Sequence, residues 1–166
     1  VSGYHDNFEY INALAKSIKN HEFYGKQDKL VFSYHGIPKK YFDEGDPYHC
    51  FCQKTSRLVA EALGLEENQY ITSFQSRLAA AGREWLKPYT SELMEKLPKE
   101  GVKKILILSP GFSMDCLETI EEIDEENKEI FLDSGGEVFN YIACLNDNNE
   151  HVEAINNLIT NKISQL

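Results

Sequence analysis

Leu30-Val31-Phe32-Ser33-Tyr34-His35-Gly36-Ile37-Pro38 decides the fold. Its first half is an apolar run rich in strand-forming residues. It ends abruptly at Ser33-Tyr34-His35-Gly36, and Pro38 cannot continue a regular ladder. The stretch therefore reads as a buried strand that delivers a histidine at its carboxyl end. In open parallel α/β sheets that end is where ligands bind.

Outward from this strand the pattern repeats. Ahead of it, Asp6 or Asn7 can cap a helix with apolar residues at Phe8, Ile11, Leu14, Ala15 and Ile18. Behind it, Leu58, Val59, Ala62 and Leu63 make a helix face that Gly64 stops. Tyr70 to Phe74 is a second strand. Leu93, Met94 and Leu97 mark a helix ended by Pro98 and Gly101. Val102 to Leu108 is the most apolar strand, which places it centrally. Leu117, Ile120, Ile123, Ile130 and Phe131 line a long helix stopped by Gly135-Gly136. Val138 to Cys144 is a fourth strand, and Val152, Ile155, Leu158, Ile159 and Ile163 line a last helix. Strand and helix alternate throughout. That predicts an α/β domain of three layers, with a four-stranded parallel Rossmann-like sheet between helices. The polar residues after each strand then share one edge.

Composition narrows the function. The chain has 166 residues, 42% of them apolar, enough for one domain with a real core. Asp plus Glu number 27 against 17 Lys plus Arg, a formal charge of -10. Such a surface repels phosphate backbones and anionic membranes, so no nucleic-acid partner is expected. Cations are the natural guests of an acidic cleft. No apolar run approaches a membrane span and no signal peptide is seen, so a cytoplasmic location with reduced thiols is expected. Val1 in place of Met suggests a fragment or a processed product. Cys50-Phe51-Cys52 is a weak metal signal without a second pair at fixed spacing.

Two features could carry chemistry. His35 can act as a base or a metal ligand, because imidazole titrates near neutrality; it can equally be a satisfied core histidine. In the helix that starts at Asp115, the acidic residues Glu118, Glu122, Glu125 and Glu129 take one face, stepping about 5–6 Å per turn. A carboxylate ladder could pass a cation along. A solvated acidic face near a helix N-terminus is the other reading.

Several motifs occur in order: Ser33-Tyr34-His35-Gly36-Ile37-Pro38, Gly45-Asp46-Pro47-Tyr48, Phe74-Gln75-Ser76-Arg77, Trp85-Leu86-Lys87-Pro88-Tyr89-Thr90, Pro110-Gly111-Phe112 and Asp115-Cys116-Leu117-Glu118-Thr119. Together they closely resemble the carboxyl-terminal half of bacterial ferrochelatase, from about Tyr4 to the last helix. The resemblance implies insertion of ferrous iron into protoporphyrin IX, with iron as substrate and no tightly bound cofactor. It implies His35 and Glu118 as catalytic residues facing each other across the porphyrin. His35, Glu118, Glu122 and Glu126 would meet the metal, on a helix with a π-type section. Tyr34, Gln75, Ser76 and Trp85 would bind the porphyrin.

In that family two similar α/β domains enclose the cleft. Residues 1–166 match the second domain, and the amino-terminal domain, with its membrane-facing lip, is absent. Peripheral membrane contact would come through that missing half. Leu78 to Glu84 make a longer gap before Trp85 than relatives carry. Cys116 stands where some relatives have histidine. No cysteine-bearing tail follows Ile163, so an iron–sulfur cluster is not expected. The same groups could serve a cobalt or nickel chelatase acting on a precorrin-type tetrapyrrole. A non-catalytic half-chelatase domain that binds haem or metal is the reading from outside enzymology.

Overall fold

The computed structural model describes residues 3–77 and 82–164. Its strands are β1 (Lys29–His35), β2 (Tyr70–Gln75), β3 (Lys104–Leu108) and β4 (Val138–Ile142). They form one four-stranded sheet in the order β2-β1-β3-β4, and every pairing is parallel. The three-layer α/β/α reading holds, and the most apolar strand is central. Leu78 to Ala81, the first part of the long gap, lie outside the described residues.

Side-chain alternation divides the core in two. Leu30, Phe32, Tyr34, Leu106 and Leu108 face α1 (Phe8–Asn20) and α3 (Tyr48–Leu63). Val31, Ile105 and Ile107 face the other way. They meet Leu93 and Met94 of α4 (Thr90–Lys96), and Ile123 and Phe131 of the acidic helix. That parity sends His35 to the side of the acidic helix and Tyr34 to the side of α3.

Caps explain the boundaries. Asn7 accepts from the Tyr10 amide at 2.9 Å and starts α1. Gly64 ends α3 in the left-handed region, at φ 70°. The sequence reading located only the end of α3. The helix starts much earlier, after α2 (Lys39–Asp43), where the Asp46 carboxylate accepts from the Tyr48 amide at 2.8 Å.

Three expected apolar faces need correction. Phe8 is 76% exposed because it starts α1 outside the packed stripe. Leu117 and Ile120 stand open to solvent at the start of the acidic helix. The last helix, α7 (Asn149–Ile163), packs chiefly on α1 and buries only His151 and Ala154. Val152, Ile159 and Ile163 remain exposed. Among the described residues no helix is long and apolar enough to cross a membrane.

Candidate active site

The strand order reverses between β1 and β3, and the crevice at their carboxyl ends is the switch point where such sheets bind ligands. His35 stands there, exposed at the end of β1. Its Nδ1 lies 2.6 Å from the Gly36 carbonyl oxygen. A carbonyl only accepts, so Nδ1 carries the proton, and in the neutral ring Nε2 keeps the free lone pair. Tyr48 donates its hydroxyl to the His35 carbonyl at 2.8 Å and fixes the backbone. The Gly36 amide donates to the Gln75 carbonyl, also at 2.8 Å. A Cβ at Gly36 would lie 2.9 Å from that same oxygen, so the close approach requires glycine.

The acidic helix supplies the other side. It runs as α5 (Leu117–Thr119), a π-helical segment (Ile120–Asn127) and α6 (Lys128–Asp133). Asp115 anchors its start. The carboxylate accepts from Tyr141 at 2.7 Å, Asn146 at 2.7 Å and the Cys144 amide at 3.2 Å. Burial pushes the Asp115 carboxyl up, but these donors outweigh it and hold the group below the usual carboxylate range.

In an α-helix, residues eight apart drift by roughly a fifth of a turn. The wider π turn closes i→i+5 bonds, and here steps of four stay on one side. Glu118, Glu122 and Glu126 therefore line one cleft together with Glu121. The face expected from α-helical spacing, with Glu125 and Glu129, is not the one presented. The same open cleft of about 550 Å³ is lined by His35, Ser76, Arg77, Trp85 and Leu117. The Cys116 thiol beside Glu118 holds that carboxyl below its ordinary range, with smaller help from a backbone amide and from His35.

The structure separates the expected porphyrin contacts. Ser76 and Trp85 line the cleft. Trp85 is 7% exposed, and its indole N–H meets no acceptor among the described residues. Tyr34 does not line the cleft. It is buried on the opposite face of the sheet, with its hydroxyl 3.0 Å from Ser56, because it is one residue out of step with His35. Gln75 is 3% exposed and is a cross-link. Its Oε1 accepts from Ser33 of β1 at 2.8 Å and from Ser109, after β3, at 3.1 Å. Its Nε2 donates to the Glu118 carbonyl.

Ser76 holds a left-handed conformation at φ 61°. That costs a side-chain-bearing residue about 1–2 kcal/mol. Its amide donates to Glu122 Oε1 at 2.7 Å and its hydroxyl to Oε2 at 3.0 Å. Hydrogen bonds to a charged group contribute about 1.5–3 kcal/mol each, enough to offset the backbone cost.

Arg77 and Glu121 are cleft residues to which the sequence reading gave no role. Arg77 closes the recognised motif Phe74-Gln75-Ser76-Arg77. Its guanidinium sits 4.2 Å over the Tyr89 ring and 3.6 Å from Glu92. The Cys50-Phe51-Cys52 signal dissolves. Both lie on α3, two residues apart, with Cys50 exposed and Cys52 buried. Burial pushes the Cys52 thiol up to about 12.

The chain is 54% identical to the ferrochelatase of Marinobacter nauticus over 98% of its length. It is 52% identical to that of Idiomarina loihiensis, also over 98%. It covers 44% of each of these relatives, so it spans less than half of the length of the proteins it matches. With the ferrochelatase family model matched along residues 1–163, this chain belongs to the ferrochelatase family.

Proposed function

We propose that the chain forms one wall of a porphyrin-metalating cleft, in a protein that inserts ferrous iron into protoporphyrin IX to give protohaem. The observation that carries this reading is His35, with Nε2 free, on the same cleft as Glu118, Glu121, Glu122 and Glu126. Insertion releases two pyrrole protons for each dication bound. A neutral imidazole can take up such protons one at a time. Carboxylates can replace the water ligands of the incoming ion. Among the described residues, no three His, Cys, Asp or Glu groups converge to hold a metal. The carboxylates thus form a ladder, suited to an ion in transit. Family resemblance adds that the cleft bends the ring, a strain of about 1–5 kcal/mol drawn from remote contacts.

The opposite wall would come from the length of the relatives that this chain does not cover, and any membrane contact would be made there. We place the reaction in the cytoplasm, with iron as substrate and without a resident cofactor. A second reading, a domain that binds porphyrin or metal without turnover, has no support from the relatives, which are named as ferrochelatases. The cobalt or nickel chelatase reading is not favoured by relatives named as ferrochelatases.

One experiment separates the two. This chain replaces the matching stretch of the Marinobacter nauticus protein, and loss of free-porphyrin fluorescence is followed anaerobically after adding ferrous iron or zinc. Metal insertion by the chimera supports the enzyme reading. Porphyrin binding without insertion supports the binding domain.

A further inference from the structure

We propose that Glu122 is a positioning residue. Its carboxylate latches the π-helical segment to the end of β2 through Ser76, and Glu118, Glu121 and Glu126 are the carboxylates left open to a cation. The proposal rests on the cleft reading above for its catalytic meaning, but not for its structural content.

Three observations converge. First, both Glu122 oxygens already accept from one residue, the Ser76 amide at 2.7 Å and the Ser76 hydroxyl at 3.0 Å. Second, Ser76 takes a left-handed backbone that serine rarely adopts, at φ 61°. That conformation turns its amide toward the helix instead of along the ladder. Third, the helix around this contact is braced from outside and from within. Gln75, next to Ser76, donates to the Glu118 carbonyl in α5, and the buried Asn127 of the π segment itself donates its side-chain amide to the Glu122 carbonyl at 2.6 Å. A π segment closes longer hydrogen-bonded loops than an α-helix and is uncommon beyond single turns. Here the contact from outside the segment is the Ser76 pair on Glu122. The carboxylate that performs the latching lies in the middle of the ladder, so the spacing of the others follows from it.

Two tests follow. In the chimera, Glu122→Gln and Ser76→Ala should each lower kcat tenfold or more, leave the KM for metal within twofold, and be no worse together than the more severe alone. Glu126→Gln should instead raise the metal KM at least fivefold. If Glu122→Gln raises the metal KM while Ser76→Ala is silent, or if the two effects multiply, Glu122 is a metal donor and the latch is overturned.

An inactive chimera counts against the cleft reading, and the latch is then decided by amide hydrogen exchange in the 166-residue chain. In Glu122→Ala, the Ser76 amide and those of residues 120–127 should exchange at least tenfold faster relative to the β3 amides. Unchanged relative protection at these amides overturns the proposal.

Discussion

His35 is exposed, and the hydrogen bond its ring makes is to its own neighbour, the Gly36 carbonyl. Removing such a side chain changes stability by about 0.5 kcal/mol or less. His35→Ala in the chimera should therefore leave the circular dichroism and melting temperature nearly unchanged and porphyrin binding intact, while metal insertion falls to near background. Fluorescence loss at close to the parent rate would make His35 structural. Asp115 makes the opposite case. Its carboxyl lies below the ordinary range, so its stabilisation is fully present above the unfolded value near pH 3.9 and is lost as pH falls through the folded value. Asp115→Asn should cost about 1–3 kcal/mol at pH 7. The gap from the parent should shrink below about pH 4, read from melting curves across pH.

Among the elements, strands were legible and the acidic helix was only partly so. Short apolar runs at Leu30, Tyr70, Ile105 and Val138 bounded by turn residues read as strands, and parallelism forces their polar ends to one edge. The carboxylate face was misread because a change from i→i+4 to i→i+5 bonding leaves no mark in residue types. The family resemblance, not the spacing, pointed to Glu126. Tyr34 was misplaced because a motif lists neighbours that a strand sends to opposite faces. The exposure of Leu117 follows from the cleft in front of it. The end of the acidic helix is better determined. A Cβ on Gly136 would lie 2.2 Å from the Phe131 ring, which is fully buried. Gly136→Ala should cost about 1–3 kcal/mol by overpacking, read as a lower melting temperature of the 166-residue chain. An unchanged melting temperature would mean that the turn after α6 yields freely.

Across the whole molecule, the exposed residues of α7 set the expectation for the chain by itself. Val152, Ile159 and Ile163 recur at helical spacing on one side, and Ile163 is 64% exposed. Contiguous apolar surface of this kind marks an interaction face. The isolated chain should enhance the fluorescence of an apolar dye, and Ile159→Lys with Ile163→Lys should abolish most of that signal without lowering the melting temperature. It should also metalate porphyrin near background, with turnover appearing only in the chimera. Turnover by the chain alone at the chimera's rate would show that one wall suffices.

Gln75 has a consequence for anyone surveying every substitution in this protein. One amide spans β1, the loop after β3 and the first turn of the acidic helix, accepting on one atom and donating on the other. Glutamate would set an oxygen against the Glu118 carbonyl, and methionine would leave two hydroxyls without their acceptor. A library of the chimera selected for metal insertion should therefore deplete position 75 as severely as position 35, although Gln75 is buried and does not line the cleft. Read by fitness alone, it would be scored as a substrate contact. The tolerance of the two positions separates only when the library is also sorted for folded protein.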